Sequence, residues 1–229
     1  MRYLILALLF LMAGIAYIQR VAVSVPAEQV AKDLSISNFA ESMGFVQSTW
    51  YFGYALLQIP AGRLADRWGA RQSILLYCIL WSVTTTLTGF SSGFWTLTAW
   101  WFLMGALQAG AFPCAAQAIG QIFPLNERAR ASGILAAGML VGGAAAPAVV
   151  SRLLITLESA ARSTNLFTWQ LLLFLLGIPG ILWSLLFAVT VPGKYLPARP
   201  AAANTIPLHV VLGKMLTSKS LALLCGQQF

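Results

Sequence analysis

Residues 62–71 read Gly-Arg-Leu-Ala-Asp-Arg-Trp-Gly-Ala-Arg, a charged segment between two long apolar stretches. Gly62 and Gly69 allow close helix approach and a tight turn, while Asp66 can accept hydrogen bonds from a helix N-terminus or from a neighbouring arginine. An ordinary loop that retains positive charge on one side of a membrane needs basic residues, but it does not need two glycines and one acid at these positions. The segment therefore predicts a specific connection between two membrane-spanning helices.

The composition of the whole chain indicates a membrane protein. Of its 229 residues, 59% are hydrophobic and only 9% are charged, and the mean hydropathy is +0.79, whereas a soluble domain has about 25% charged residues. This composition excludes a soluble globular protein and leaves no room for a separate soluble domain. The 14 Lys and Arg are scattered in ones to threes along the sequence, so we expect a lipid bilayer and no nucleic acid as partner.

The apolar stretches predict an all-α polytopic membrane protein. A spanning helix needs about 20 apolar residues, and six such stretches occur: 2–25, 38–60, 73–90, 94–123, 131–157 and 169–191. The predicted organisation is a six-span bundle over 1–191, a Pro-rich cytoplasmic linker over 192–219 and the start of a seventh span over 220–229. The first stretch also resembles a signal peptide, but its apolar pattern continues to Val25 and no long hydrophilic domain follows.

The basic residues predict which side of the membrane each end of the bundle faces, because short cytoplasmic loops retain Lys and Arg. With the N-terminus inside, the outer connections carry only Lys32, Arg152 and Arg162. The cytoplasmic side then carries a larger set: Arg2, Arg63, Arg67, Arg71, Arg128, Arg130, Lys194, Arg199, Lys214 and Lys219. We therefore expect a cytoplasmic N-terminus in a plasma membrane, of the bacterial inner-membrane kind.

Residues 62–71 resemble the signature loop of the major facilitator superfamily, a Gly-x-Leu-Ala-Asp-Arg-x-Gly-x-Arg/Lys pattern matched here at every fixed position. The resemblance implies the N-terminal half of such a carrier, a six-helix bundle of two inverted three-helix repeats whose first and fourth helices line a central cavity. It also implies a gating network at the cytoplasmic end, made of Gly62, Asp66, Arg67, Gly69, Arg71, Glu127 and Arg130.

Other segments are similar to the anion:cation symporter branch of that superfamily, which includes hexuronate, glucarate and galactonate carriers and sialin. Residues 17–20, Tyr-Ile-Gln-Arg, resemble its Tyr-x-Asp-Arg, and residues 53–60 resemble its Gly-Tyr-Ala-x-x-Gln-x-Pro. Residues 110–113 and 123–133 also follow the branch pattern. The resemblance implies secondary transport of a small organic anion, such as a sugar acid or another carboxylate. The substrate-binding residues it implies are Arg20, Tyr17, Gln19, Tyr54 and Gln108.

Arg20 is the candidate anion clamp. A cation well inside a span costs at least about 2.5 kcal/mol and is usually kept for a partner or a polar cavity, and a guanidinium can bind a carboxylate through two hydrogen bonds. The alternative is that Arg20 snorkels to the outer interface, since the sequence from Arg20 to Glu28 becomes steadily more polar. The resemblance favours an Arg20 and a Tyr54 that face the cavity.

The chain departs from the branch pattern at two acidic positions. Gln19 stands where the branch has an acid before the arginine, and Gln108 stands where it has a glutamate in the fourth span. Glutamine keeps the hydrogen-bonding capacity of a carboxylic acid but cannot exchange a proton. We therefore expect this half of the carrier to contribute no titrating carboxylate to proton coupling.

Two further patterns have structural interpretations. Small residues of the fifth span at near four-residue spacing, among them Gly138 and Gly142, predict close helix packing. Four tryptophans near predicted span ends are typical of interfacial anchors; they are Trp95, Trp100, Trp101 and Trp169.

We expect neither an enzyme nor a cofactor or metal site. Residues 89–93 fit Gly-x-Ser-x-Gly, but they join two spanning helices, and the only histidine, His209, lies in the cytoplasmic segment. The three cysteines are an odd number in apolar sequence, which indicates neither a disulfide framework nor a thiolate metal site. No phosphate-binding glycine-rich loop occurs.

The function expected from the resemblance depends on a partner. Carriers of the superfamily alternate access between two six-helix bundles, so we expect a missing C-terminal six-helix half and no transport by the 229-residue chain alone. A homodimer of halves is the competing arrangement. The second hypothesis for function is a non-transporting membrane subunit or degenerate half-carrier.

Overall fold

The computed structural model of the protein describes residues 1–164 and 166–197 together with Gly213 and Ser218. The chain divides into two compact units, Met1–Ala198 and Arg199–Phe229. The predicted linker over 192–219 lies mostly outside the described residues, and the predicted seventh-span start over 220–229 lies wholly outside them.

The described part of the first unit is helical and contains no β-strand. Its helices are α1 (Arg2–Arg20), α2 (Ala27–Asp33), α3 (Phe39–Trp68), α4 (Ala70–Thr88), α5 (Phe94–Gln108), α6 (Ala111–Ile122), α7 (Leu125–Thr164) and α8 (Thr168–Thr190). The six predicted spans correspond to α1, α3, α4, the pair α5 and α6, α7, and α8. The all-α prediction is confirmed, whereas several predicted bounds are wrong.

The first span is shorter than predicted. α1 ends at Arg20, and a turn separates it from α2, which begins after Pro26. Pro26 has no N–H to donate to the carbonyl of Ala22, so the hydrogen-bond ladder of α1 cannot run through this segment. Residues 27–33 therefore form a separate seven-residue helix, α2.

The fourth predicted span is divided into two helices at Ala109 and Gly110. Pro113 has no N–H for the carbonyl of Ala109, so the ladder is interrupted there. Gly110 lies against the ring of Tyr77, where any Cβ would collide with it. The break leaves Gln108, the last residue of α5, about halfway along the apolar stretch Phe94–Ile122.

The charged motif over 62–71 is helical rather than a loop. α3 continues to Trp68 and α4 begins at Ala70, so Gly69 alone connects them. Gly69 has φ 85° and ψ 153°, a backbone conformation that residues with a Cβ rarely adopt. The predicted loop over 63–71 and the predicted start of the third span at 73 are therefore wrong, while the tight turn predicted at the second glycine is confirmed.

Two tryptophans that we expected at the membrane interface are buried among the helices. Trp101 is 0% exposed and Trp169 is 1% exposed, and their indole N–H groups donate to Gln47 Oε1 at 3.2 Å and to Asp33 Oδ2 at 3.1 Å. The interfacial prediction is wrong for both because each indole finds an internal acceptor. Trp95, in contrast, is 73% exposed.

Close backbone approach joins several helix pairs. A Cβ on Gly138 or on Gly142 of α7 would meet the backbone oxygen of Phe10 or of Gly14 in α1 at 2.5 Å. A Cβ on Gly105 of α5 would collide with the Trp50 carbonyl in α3. The close packing predicted for the small residues of α7 is thus confirmed at these two glycines.

Four helical stretches of the described residues are long and apolar enough to cross a membrane: Arg2–Val21, Phe94–Ile122, Leu125–Thr164 and Thr168–Thr190. Helices α3 and α4 pack against this set, α3 on α5 and α4 on α8. α7 has 40 residues, which corresponds to about 60 Å of helix and exceeds the hydrocarbon thickness of about 30 Å. The protein is therefore a multi-pass membrane protein whose α7 extends beyond the apolar layer.

The close contact between α3 and α5 predicts that a larger residue in place of Gly105 destabilises the protein. We expect Gly105→Ala to lower the free energy of unfolding by about 1–3 kcal/mol, because the added methyl group forces the two backbones apart. Gly133→Ala is the matched control, since a Cβ there meets nothing within 4 Å. Thermal unfolding of the purified protein in detergent measures both, and equal Tm values for the two variants would contradict the close packing.

The charge bias predicts the orientation of α7, whose ends carry the exposed residues Asn126 and Ser163. In a background without native cysteines, we expect an impermeant maleimide to label Ser163→Cys on intact cells. Asn126→Cys should react only after permeabilisation, because the basic end of the bundle is expected in the cytoplasm. If Asn126→Cys alone were labelled on intact cells, the orientation would be the opposite of the predicted one.

Candidate functional site

Arg20 ends α1, and its guanidinium packs against aromatic rings from α1 and α3. Its Cζ lies 4.2 Å from the ring centroid of Tyr17, 4.0 Å from that of Trp50 and 5.5 Å from that of Tyr54. The Trp50 and Tyr54 rings are stacked, with centroids 5.2 Å apart and an interplanar angle of 19°. Cation–π contacts contribute about 0.5–2 kcal/mol each, so these rings offset part of the cost of a cation inside the bundle.

Gln108 connects Arg20 to the break between α5 and α6. Its Nε2 donates to the Ala16 carbonyl of α1 at 3.0 Å, and its Oε1 accepts a long hydrogen bond from Arg20 NH2 at 3.4 Å. Gln108 is only 1% exposed. An ionised carboxylate at this position could accept from Arg20 but could not donate to Ala16, so the amide suits both partners.

A cavity of about 40 Å³ lies beside these groups, enough for a few water molecules. Tyr17, Arg20, Tyr54 and Gln108 form its polar lining, and Arg20 is the one charged residue among the described residues that line it. The rest of the lining is apolar: Met12, Ala13, Ala16, Ala111, Phe112, Ala115, Leu135 and Met139. A single cation among apolar walls has the chemistry to bind a small anion.

Gln19 lies away from this cavity, so the structure does not bring it together with the other predicted binding residues. Its Nε2 donates to the Leu176 carbonyl of α8 at 2.7 Å, and its Oε1 accepts from Trp81 Nε1 of α4 at 2.8 Å. Successive residues of a helix are rotated by about 100°, so Tyr17 and Arg20 share a face that Gln19 does not. Gln19 therefore joins α1, α4 and α8, whereas the resemblance implied that it binds the substrate.

The predicted gating residues lie at the end of the bundle where α1 begins, here called the Arg2 end. Asp66 Oδ1 accepts a hydrogen bond from Gln117 Nε2 of α6 at 3.2 Å. Glu127 forms an ion pair with Arg2 at 3.3 Å. These contacts tie α3 to α6 and α7 to α1, so they are separate links between helices rather than one network.

Arginines at the Arg2 end also cap helices. Arg71 donates from Nε to the Val191 carbonyl at 2.5 Å and from NH2 to the Ala188 carbonyl at 2.8 Å, which satisfies the C-terminal end of α8. A cation at this position also suits the helix dipole. Arg67 and Arg130 are exposed, and no ion pair between described residues joins them to an acid.

Gly62, the remaining residue of the predicted gate, makes no unusually close contact. The nearest atom to a Cβ built there is the Cβ of Pro113 at 3.8 Å, an ordinary van der Waals distance. The close helix approach predicted at Gly62 is therefore absent, and Gly69 is the glycine of the motif whose backbone requires the residue type.

Two residues of these contacts were not expected from the sequence. Arg128 donates to the Phe123 carbonyl at 3.0 Å and to the Gly120 carbonyl at 2.7 Å, which caps α6. Its position shortly after Pro124 was the available signal, because basic side chains often bond the last carbonyls of a helix. Trp50 was missed as a neighbour of Arg20, although its spacing of four residues from Tyr54 predicts a shared helix face.

The chain is similar to a known family of membrane transporters. The family model described as Major Facilitator Superfamily matches residues 5–227. The chain is 33% identical over 187 residues to the probable sulfoacetate transporter SauU of Cupriavidus necator, covering 82% of this chain and 41% of that protein. It is 31% identical over 186 residues to a D-galactonate transporter of Escherichia coli, covering 81% of this chain and 40% of that protein.

A solved structure has the same helical arrangement. The chain resembles a bacterial homologue of the human lysosomal transporter Spinster in an inward-facing, unoccupied conformation, with a TM-score of 0.76 and 26% identity. The match covers 91% of this chain and 46% of that one. The chain thus spans less than half the length of each of these three relatives.

The contacts of Gln19 predict that it stabilises the bundle. We expect Gln19→Leu to lower the free energy of unfolding by about 1–3 kcal/mol, because the Trp81 N–H loses its acceptor and the Leu176 carbonyl loses a donor. Gln72→Leu, at an exposed position of α4, is the matched control and should change stability by less than about 0.5 kcal/mol. Chemical unfolding in detergent measures both variants, and an unchanged stability of Gln19→Leu would contradict the structural role.

Proposed function

The chain belongs to the major facilitator superfamily, whose model matches residues 5–227, and we propose that the protein transports a small organic anion across a membrane. The substrate class is a sugar acid or another small carboxylate or sulfonate, by analogy with relatives described as D-galactonate and probable sulfoacetate transporters. The membrane is the plasma membrane, with the Arg2 end of the bundle in the cytoplasm.

The observation that carries this proposal is the position of Arg20. Its guanidinium borders a cavity whose described lining contains no carboxylate, and its hydrogen bond to Gln108 is long, at 3.4 Å. An unneutralised cation in apolar surroundings is costly, and an anionic substrate removes that cost when it binds. Arg20 would therefore bind the substrate's oxyanion through two hydrogen bonds.

The remaining lining residues have supporting roles in the proposal. Tyr17 and Tyr54 hold the guanidinium through their ring faces and offer hydroxyl groups to the hydroxyls of a sugar acid. Gln108 accepts a hydrogen bond from Arg20 and donates one to the Ala16 carbonyl of α1, which positions the guanidinium. The apolar walls exclude water and so strengthen the electrostatic attraction between the guanidinium and the anion.

Transport would follow by alternating access, in which this bundle moves relative to a second bundle around the substrate. The links at the Arg2 end would keep α1 with α7, α3 with α6 and α4 with α8 during that motion. The ion pair of Arg2 with Glu127 and the bonds from Arg71 to the end of α8 are the main ones. The competing function is a non-transporting membrane subunit or degenerate half-carrier, in which the same links only maintain the fold.

An uptake experiment with the complete reading frame tests the proposal. A bacterial host without its own uptake of the probes expresses the protein, and uptake of radiolabelled D-galactonate, D-glucarate and sulfoacetate is measured. We expect saturable uptake of at least one probe and a loss of at least tenfold in Arg20→Gln, because the charge that binds the anion is removed. Arg20→Lys should recover part of the uptake, since it keeps the charge but loses the bidentate geometry.

Arg152→Gln is the matched control, because it removes the same charge from an exposed position on α7. Its uptake should equal that of the unsubstituted protein when both are normalised to the amount in the membrane. Saturable uptake that survives Arg20→Gln would refute the role of Arg20. Absence of uptake for all three probes would favour the non-transporting subunit.

A further inference from the structure

One buried tryptophan of the bundle has an indole N–H without an acceptor. Trp50 is 1% exposed, and its Nε1 has no hydrogen-bond partner. The other four buried indoles each donate a hydrogen bond, from Trp81, Trp101, Trp169 and Trp183. Buried polar groups nearly always have a partner, so Trp50 is the exception among the buried indoles.

Arg20, which contacts Trp50, also has a buried donor without an acceptor. Arg20 Nε is also buried without a partner, and the Arg20 guanidinium carbon lies 4.0 Å from the centroid of the Trp50 ring. The two unpaired donors therefore belong to side chains in direct contact. Stacking covers the faces of a guanidinium and leaves its N–H donors along the edge, and an indole N–H likewise lies in the plane of its ring.

We propose that Trp50 is a second anion-binding residue, whose indole N–H binds the same oxyanion head group as the Nε–H of Arg20. This inference rests on the proposed function of Arg20. A carboxylate has two oxygens with about four acceptor positions, and a sulfonate has a third oxygen, so either head group can accept from the guanidinium and the indole together.

This arrangement couples substrate binding to the packing of two helices. Arg20 is on α1 and Trp50 is on α3, so one oxyanion would join them. The backbone of Trp50 is in close contact with Gly105 of α5, which fixes the position of the indole along α3. The oxyanion would accept the hydrogen bonds that Arg20 Nε and Trp50 Nε1 otherwise lack, at the point where α1, α3 and α5 meet.

Removing the indole donor while keeping an aromatic ring tests the proposal. Trp50→Phe retains the face that packs on Arg20 but has no N–H. With the probes D-galactonate, D-glucarate and sulfoacetate, and the complete reading frame in the same bacterial host, we expect the KM to rise about tenfold or more, because a hydrogen bond to a charged group is lost. The maximal rate per transporter should change little.

Trp101→Phe is the matched control. It also removes a buried indole N–H, but that donor already has an acceptor, Gln47 Oε1, and the rings that face the Arg20 guanidinium are those of Tyr17, Trp50 and Tyr54. Its KM should stay unchanged. If Trp50→Phe transports too little for a KM to be measured, the anion concentration that gives the half-maximal rise in Tm of the purified protein makes the same comparison.

The outcomes separate this proposal from the proposed function. An unchanged KM in Trp50→Phe, with uptake abolished in Arg20→Gln, overturns the role of Trp50 and leaves anion transport intact. Equal KM increases in the Trp50 and Trp101 variants, or a fall in maximal rate alone, assign Trp50 a structural role and also overturn it. Absence of uptake of every probe by the unsubstituted protein overturns both proposals.

Discussion

A cation inside an apolar helix bundle is the constraint around which the centre of this protein is organised. Arg20 ends α1 and is only partly exposed, so groups of the bundle must stabilise its charge. The rings of Tyr17, Trp50 and Tyr54 face the guanidinium, and Gln108 accepts one hydrogen bond from it. Helices α1, α3 and α5 therefore meet around a single charge, which borders the cavity.

The need to satisfy polar groups also governs the helix ends and the helix break. Backbone groups within an apolar layer must find partners inside the protein. Arg71 supplies donors to the last carbonyls of α8, and Arg128 does so for α6. Pro113 has the opposite effect, because its missing N–H interrupts the ladder next to Gln108. The same break thus brings a polar side chain to the cavity.

The two glutamines at expected acidic positions have different surroundings and a common chemistry. Gln108 donates to a carbonyl and accepts from Arg20, whereas Gln19 donates to a carbonyl and accepts from Trp81. Both side chains use a donor and an acceptor at once, which an ionised carboxylate cannot do. Arg20 consequently has no ion pair with a carboxylate of the described residues, and the helices around it are joined by neutral groups.

The sequence by itself determined the membrane setting, the all-α class and the glycine turn between α3 and α4. Composition, apolar run length and helical period are local properties, so they can be read without knowing the packing. The tertiary structure alone decided that Gln19 bonds Leu176, 157 residues away, and that the ring of Trp50 lies against Arg20. It also decided that the charged motif is helical almost throughout. Such features depend on which helices are neighbours and on how far along the helix axes their side chains meet. The order of residues in the sequence gives neither of these.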